Sequence, residues 1–153
     1  MQHSTPAPIR LRRRSGAVPM ACIDLGSAAM RLEQRHALIV DDCRFIAERM
    51  ARVLESRGFE CTVVADGYQG LEQIRARHFD MIVLDANTPM IDGFTLLRHL
   101  RRCVQTLRTP VLMLSSERSG VDHDRASALG ANAYMSKPLQ LRPLNATLDA
   151  LLD

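Results

Sequence analysis

The chain has 153 residues, of which 46% are hydrophobic and 24% are charged. That length suits one domain with its own core, and the composition excludes both a largely disordered chain and an integral membrane protein. No apolar run approaches the roughly 20 residues that span a bilayer, and the net charge is only +3.

The positive charge belongs to residues 1–35, which we predict to be a flexible basic arm preceding a domain at 36–153. The arm carries six Arg against Asp24 and Glu33, a net charge of +4, whereas the remainder carries fourteen basic and fifteen acidic residues, a net charge of −1. Prolines, small residues and the lack of apolar periodicity favour disorder. The run RLRRR at 10–14 could bind nucleic acid, an anionic lipid surface or an acidic partner. Alternatively, it is a solvated tail, or sequence upstream of a true start at Met20 or Met30. We favour the tail, because disordered basic arms need no partner.

From His36 onward, short apolar runs alternate with segments of helical periodicity. The runs predict five strands, at 37–40, 61–65, 81–84, 110–114 and 133–135. The other segments predict five helices, with apolar residues at helical spacing within 46–54, 71–74, 94–100, 126–129 and 141–151. Gly58 and Gly130 fall where the first and fourth helices should end, which suits left-handed caps. Strict alternation of apolar strands and helices predicts a doubly wound α/β fold, a parallel sheet with helices on both faces.

The cysteines indicate neither a disulfide framework nor a zinc site. Cys22, Cys43, Cys61 and Cys103 form no C-x-x-C pair and have no metal-ligand spacing with histidine. We interpret them as reduced thiols of a cytoplasmic protein. The histidines likewise form no recognisable catalytic triad with Ser and Asp.

Three carboxylates follow predicted strands, at the point where each strand ends. Asp41 and Asp42 follow the first strand, and Asp85 follows the third. In a doubly wound sheet, ligands bind at the carboxyl ends of the strands where the strand order reverses. If the first and third strands are neighbours, the carboxylates converge, and two of them about 4 Å apart repel by on the order of 4 kcal/mol at an effective dielectric of about 20. A hard divalent cation relieves this repulsion, which predicts a Mg²⁺ site.

Two further strand ends carry complementary groups, the hydroxyl of Ser115 after the fourth strand and the ammonium of Lys137 after the fifth. A carboxylate nucleophile, a cation site, a hydroxyl donor and an ammonium together favour phosphoryl transfer onto Asp85. Each residue alone has an ordinary structural explanation, since Asp41 and Asp42 suit a helix cap and Asp85 suits a turn. Their placement at four strand ends of one sheet argues against that explanation for all of them.

Four short motifs follow one another along the domain. They are LIVDD ending at Asp42, VLDANTPMIDG from Val83 to Gly93, VLMLSS ending at Ser116, and AYMSKP ending at Pro138. Together they resemble the receiver domain of response regulators, in particular the single-domain chemotaxis type, over about three-quarters of the chain. The resemblance implies a flavodoxin-like, doubly wound, five-stranded parallel sheet of order 2-1-3-4-5 with five helices.

The resemblance also implies a phosphorylation site centred on Asp85. Asp85 would be the phosphoacceptor. Asp41 and Asp42 would hold Mg²⁺ directly or through water, together with Asp85 and the backbone carbonyl of Asn87.

Catalytic and switch roles follow from the same resemblance. Lys137 would be the lysine characteristic of the family, and a cis bond between Lys137 and Pro138 would turn it back toward the site. Ser115 would be the switch hydroxyl that binds a phosphoryl oxygen. Tyr134 would be the aromatic switch, although a half-buried packing role is as common for tyrosine.

Three positions are expected to modify the behaviour of the site. Asn87 and Glu117 occupy variable positions that influence, in the family, how fast the acyl phosphate hydrolyses. Thr88 stands where the family commonly has Met before the loop proline. Because that position is mainly one of packing, we expect it to alter loop dynamics more than chemistry.

These features predict a stand-alone response regulator of two-component signalling, a phosphoacceptor and not an enzyme. The donor would be a histidine kinase or a histidine phosphotransfer protein. Fifteen residues follow Pro138, room for a last helix and no output domain. An unknown downstream protein would therefore be recruited by helix 4, strand 5 and helix 5 when Ser115 and Tyr134 move. We expect no membrane span, and no nucleic acid bound by the domain itself.

Three other functions stay open. A phosphorylation-independent adaptor would keep the receiver fold, although the intact set of acidic, hydroxyl and lysine residues argues against it. An aspartyl-phosphate phosphohydrolase of the haloacid-dehalogenase kind needs a second Asp two residues after the nucleophile, where this chain has Asn87. A nucleic-acid binder would act through the basic arm and lose affinity steeply with added salt.

Overall fold

The computed structural model describes residues 9–11, 34–117 and 120–152, which form six strands and five helices. The strands are β1 (Ile9–Leu11), β2 (Arg35–Val40), β3 (Phe59–Val64), β4 (Met81–Asp85), β5 (Val111–Ser115) and β6 (Ala133–Ser136). The helices are α1 (Arg44–Ser56), α2 (Gly67–Ala76), α3 (Gly93–Arg102), α4 (Gly120–Leu129) and α5 (Leu141–Leu152). Within the described ranges, no helix is both long and apolar enough to span a bilayer.

The sheet has the order β1-β3-β2-β4-β5-β6, and its strands from β2 onward are parallel. Apart from β1, this is the predicted order 2-1-3-4-5, which is confirmed. Strands β4 and β5 are buried at every position, because the centre of a parallel sheet is covered by helices on both faces. The strand order reverses between β2 and β4, so the expected ligand site lies at their carboxyl ends.

Two hydrophobic cores lie on opposite faces of the sheet, because successive side chains of a strand point to opposite sides. One core joins Ala37, Ile39, Met81 and Val83 of the sheet to Met50, Leu54, Leu144 and Leu148 of α1 and α5. The other joins Leu38, Val40, Ile82 and Leu84 to Phe94, Leu97 and Ala126 of α3 and α4. Full burial of each Val, Leu, Ile, Met or Phe side chain contributes roughly 1.5–3 kcal/mol. These cores therefore fix the positions of the strand ends, where polar side chains lie.

Helix ends follow the sequence signals. Gly58 and Gly130 adopt φ angles of 92° and 99°, which confirms the two predicted left-handed caps. Asp66 and Asp92 cap α2 and α3, each accepting a hydrogen bond from the backbone N–H three residues later. The caps set the points at which the loops at the carboxyl edge enter these helices.

Strand β1 was not predicted. Ile9–Leu11 pairs antiparallel with β3, with Ile9 opposite Val63 and Leu11 opposite Cys61. Three residues are too few for periodicity to show, and the open edge of β3 determines the pairing. The arm was predicted to extend to residue 35, but Arg35 already begins β2. Residues 1–8 and 12–33 of the predicted arm, including Arg12 to Arg14, lie outside the described residues.

Candidate functional site

The carboxyl ends of β2 and β4 bring three carboxylates together. Val40 of β2 lies opposite Leu84 of β4, so the residues that follow, Asp41 and Asp85, are neighbours. One oxygen from each of Asp41, Asp42 and Asp85 lies within 4.8 Å of the others. Asp41 and Asp85 are only 2% and 4% exposed, whereas Asp42 faces solvent. The structure thus assembles the acidic group that the strand ends predicted.

Lys137, just after β6, places its ammonium between two of these carboxylates. Its Nζ lies 3.0 Å from Oδ2 of Asp41 and 3.4 Å from Oδ1 of Asp85. The Lys137 N–H donates to the carbonyl of Ser115 at 2.8 Å, and the peptide bond from Lys137 to Pro138 is cis. The lysine therefore reaches the acidic group from β6, two strands away from β4.

Burial and charge both act on the protonation of the site. Removal from water raises the pKa of the Asp85 carboxyl and the charge of Asp41 raises it further, against smaller lowering effects of Lys137 and the Asn87 N–H. Burial alone would lower the pKa of Lys137, but hydrogen bonds and charge from Asp41 and Asp85 outweigh it, so the pKa of Lys137 is raised. The raised pKa of Lys137 favours its ammonium form, and the raised pKa of Asp85 means that ionising this carboxyl costs more free energy than it does in water.

Ser115 is fully buried at the end of β5. Its Oγ accepts a hydrogen bond from the Glu117 N–H at 3.0 Å and donates to Oδ2 of Asp122 at 3.5 Å. The second bond is long for O–H···O and therefore weak. Asp122, in the first turn of α4, was missed in the sequence. One signal in the sequence could have identified Asp122. It lies in the predicted helix that follows β5, whose first turn must begin at the edge of the sheet where β5 ends.

Tyr134 connects β6 to the loop and helix that follow Ser115. Its hydroxyl donates to the carbonyl of Glu117 at 3.2 Å. Its ring meets the ring of His123 edge-on, with 5.2 Å between the centroids. Because Tyr134 is also half-buried against the core around Phe94, it combines a packing role with a polar contact near the Ser115 hydroxyl.

The loop after β4 holds two residues singled out in the sequence. Asn87 is exposed. The backbone N–H of Asn87 donates to Oδ1 of Asp85 at 3.4 Å. Thr88 is 5% exposed, and its Oγ1 donates to the carbonyl of Ile91 at 2.8 Å. Position 88 therefore makes a hydrogen bond and does not serve packing alone. Glu117, the other position expected to tune hydrolysis, is exposed as well.

Helix capping does not account for the acidic pair after β2. The N-cap of α1 is Cys43, whose side chain makes no capping hydrogen bond. Asp41 instead uses Oδ1 to accept from the Cys43 N–H at 2.8 Å. Its Oδ2 is buried, accepts no hydrogen bond of regular geometry, and faces Lys137 as an ion pair. A buried carboxylate oxygen with so few donors is costly unless a cation lies close.

The donor set fits a hard divalent cation. Three carboxylates against one ammonium leave a formal charge of −2. The carboxylate ligand atoms are all oxygens, and the exposure of Asp42 leaves one side of the group open to water. Mg²⁺ characteristically binds through one or two carboxylates and keeps several waters. The residues present are therefore consistent with the Mg²⁺ predicted from the sequence.

Without divalent metal at about pH 7, the Asp85→Asn variant is expected to unfold at a higher temperature than the wild type. The substitution removes the charge that burial and Asp41 disfavour, and single-site changes of this kind are on the order of 1 kcal/mol. In the folded protein, the pKa of Asp85 lies above its ordinary value of 3.8. The cost of ionising Asp85 in the folded state is therefore fully present above that raised pKa, and it disappears as the pH falls toward the pKa of Asp85 in the unfolded chain. Thermal unfolding followed by circular dichroism in EDTA, between about pH 7 and about pH 4, measures the difference.

Magnesium provides the control for this comparison. Excess Mg²⁺ should raise the melting temperature of the wild type more than that of Asp85→Asn, since the cation binds the folded acidic group. If the variant were less stable than the wild type in EDTA at neutral pH, the attraction between Asp85 and Lys137 would outweigh burial and repulsion, contrary to expectation.

A family model describes most of the chain. The model of the response regulator receiver domain matches residues 37–149. That range contains Asp41, Asp42, Asp85, Ser115 and Lys137 and does not include β1.

Curated relatives match the same part of the chain. The transcriptional activator protein PfeR of Pseudomonas aeruginosa is 39% identical over 117 residues, which are 75% of this chain and 37% of the relative. The alkaline phosphatase synthesis transcriptional regulatory protein PhoP of Bacillus subtilis is 35% identical over 115 residues, 75% of this chain and 47% of the relative. The chain therefore spans less than half the length of these two relatives.

Solved structures share the fold over nearly their full length. The chemotaxis response regulator CheY4 of Vibrio cholerae superposes with a TM-score of 0.72 at 32% identity, covering 78% of this chain and 99% of that one. The receiver domain of the sensor histidine kinase PA1611 of Pseudomonas aeruginosa, described with a magnesium ion coordinated in the active site cleft, gives a TM-score of 0.68 at 26% identity, covering 76% and 96%.

Proposed function

The chain belongs to the family of response regulator receiver domains, and on that premise we propose that Asp85 accepts a phosphoryl group from a histidine kinase or histidine phosphotransfer protein. The observation that carries the proposal is the position of Asp85. Its carboxylate ends a buried strand, lies 3.4 Å from the Lys137 ammonium, and neighbours Asp41 and Asp42. Receiver domains act in two-component signalling, so the phosphorylated state is the signal.

The transfer is a displacement at phosphorus. A carboxylate oxygen of Asp85 forms the new P–O bond while the P–N bond to the donor histidine breaks, and the imidazole leaves with the electron pair and takes a proton. Asp41, Asp42, Asp85 and the Asn87 carbonyl would hold Mg²⁺, which would supply positive charge for the phosphoryl oxygens.

Two side chains of this chain complete the transfer. Lys137 donates to a phosphoryl oxygen from its position beside Asp85, using hydrogens of the same ammonium that pairs with Asp41. The Ser115 hydroxyl, now aimed at Asp122, turns to donate to another phosphoryl oxygen.

We further propose that the movement of Ser115 is the switch. Ser115 and Tyr134 both contact the backbone of Glu117. The Ser115 Oγ accepts from the Glu117 N–H, and the Tyr134 hydroxyl donates to the Glu117 carbonyl. Movement of Ser115 therefore shifts the loop that Tyr134 holds, and with it the surface formed by α4, β6 and α5. The predicted helix 4, strand 5 and helix 5 are these three elements, and the downstream protein binds there.

We also propose that the protein acts as a stand-alone switch in the cytoplasm and not as a turnover enzyme. Asn87 occupies the position at which a hydrolase of the haloacid-dehalogenase kind needs an acidic proton donor. The roles in transcription that the names of PfeR and PhoP state are those of the relatives, which the chain matches over less than half of their length.

Incubation with acetyl phosphate and Mg²⁺ tests the proposal on the unmodified chain. We expect intact-mass spectrometry to show the addition of one phosphoryl group, lost on hydroxylamine treatment as an acyl phosphate should be, and absent in EDTA. A hydroxylamine-resistant adduct would indicate a serine or threonine ester and contradict the assignment. A downstream partner that binds equally with and without a beryllofluoride mimic would favour the phosphorylation-independent adaptor.

A further inference from the structure

Thr88 forms a side-chain brace across the loop that follows Asp85. Its Oγ1 donates to the carbonyl of Ile91 at 2.8 Å, and the residue is 5% exposed. A buried hydroxyl costs stability unless it is hydrogen-bonded. The bond to Ile91 meets that requirement inside the loop itself.

The brace spans a strained turn. Met90 has a φ angle of 71°, and the N–H of Ile91 donates to the carbonyl of Pro89 at 2.8 Å. Together these features describe a three-residue γ-turn with a positive φ at its centre, a conformation that is rare and strained for a residue with a side chain. Such strain persists only where the surroundings hold the turn in place.

Helix α2 supplies part of that restraint. The N–H of Gly67 donates to the carbonyl of Pro89 at 3.1 Å. The carbonyl of Ile91 packs so closely on Gly67 that a Cβ built there would lie only 1.8 Å from its oxygen. Thr88 restrains the same Ile91 carbonyl from inside the loop, so the turn is held on both sides.

The brace acts next to the site. The carbonyl of Asn87 lies in the same rigid peptide plane as the N and Cα of Thr88. Fixing Thr88 therefore limits the directions in which this carbonyl points. The same loop also orients the Asn87 N–H toward Oδ1 of Asp85, at 3.4 Å.

We propose that Thr88 is a positioning residue for the phosphorylation site, in which the hydroxyl holds the 86–92 loop so that the Asn87 carbonyl is directed toward the divalent cation. The inference rests on the proposed function for its biological meaning. It predicts a property of the unphosphorylated protein, namely a Mg²⁺ affinity that depends on the hydroxyl of Thr88.

Isothermal titration of the unphosphorylated full chain with Mg²⁺ tests the role of the hydroxyl. Thr88→Val keeps the shape and removes the donor, so we expect its Mg²⁺ dissociation constant to rise by about tenfold, the scale seen when a group that orients a metal ligand is lost. Thr88→Ser keeps the hydroxyl and loses the methyl group, so it should bind Mg²⁺ as the wild type does. Thr109→Val is the matched control, because Thr109 is a buried threonine before β5, at the opposite edge of the sheet.

A folded Thr88→Val that binds Mg²⁺ within about twofold of the wild type, a difference on the order of 0.4 kcal/mol by the affinity relation, would overturn the proposal. If Thr88→Val does not fold, the Mg²⁺ affinity of Thr88→Ser decides. An affinity of Thr88→Ser about tenfold weaker than that of the wild type would mean that position 88 acts through packing of its methyl group, contrary to the proposal. A wild type that binds Mg²⁺ and takes no phosphoryl group from acetyl phosphate would refute the proposed function and leave the Mg²⁺ comparison to test Thr88 separately.

Discussion

Replacing Asp85 with Asn is expected to reduce phosphoryl uptake from a phosphorylated histidine kinase to background. The amide keeps the size of the side chain and removes the nucleophilic carboxylate. No similar carboxylate takes its place, because Asp41 is paired with Lys137 and Cys43 and Asp42 faces solvent. Transfer of radiolabel from the kinase, followed on a gel over time, measures the loss.

Asp124→Asn is a suitable control for this experiment. It makes the same change in charge and atom type on α4, where the Asp124 side chain is 88% exposed. It should accept label at the wild-type rate. Persistent label on Asp85→Asn would place the acceptor elsewhere, and turnover of a generic phosphomonoester that Asp85→Asn abolishes would instead revive the hydrolase.

Gly67→Ala is expected to destabilise the fold by on the order of 3 kcal/mol. The added Cβ would lie 1.8 Å from the oxygen and 2.7 Å from the carbonyl carbon of Ile91. Those are backbone atoms, which cannot rotate away as a side chain does. Relief requires the 89–91 turn to move from α2, with loss of the bond from the Gly67 N–H to the Pro89 carbonyl. Chemical denaturation followed by circular dichroism measures the change in the free energy of unfolding.

Gly120→Ala isolates the steric part of this effect. Gly120 is also the first residue of a helix, and a Cβ there would meet nothing within 4 Å. The substitution should be neutral or stabilise by up to about 1 kcal/mol through the unfolded chain. Equal stabilities of Gly67→Ala and wild type would mean that the turn yields at little cost, which would also weaken the case for a braced loop.

The sheet and its acidic edge were predictable because their signals are local and repeated. Short apolar runs such as MIVL at 81–84 favour buried strands, and their alternation with helices leaves few topologies. Once the order 2-1-3-4-5 is implied, Asp41 and Asp85 must meet, since one follows the first strand and the other the third. The structure brings those carboxylates and Lys137 together as that reasoning requires.

Other contacts could not be predicted because they depend on the path of a loop or on an open edge. The hydrogen bond from Thr88 to Ile91 exists only in the turn that places Met90 at positive φ. The approach of Asp122 to Ser115 depends on where α4 begins relative to the end of β5. Strand β1 leaves no periodic signal in three residues, and its partners on β3 are 50 to 54 residues away along the chain.

The two borders of the described sheet are both short strands. Strand β1 has three residues and β6 has four. An edge strand exposes unpaired N–H and C=O groups to which another chain can pair, and a short edge strand limits that pairing. In the described part of the chain, the sheet therefore offers little open backbone for association by strand addition, which leaves recognition of a partner mainly to side chains.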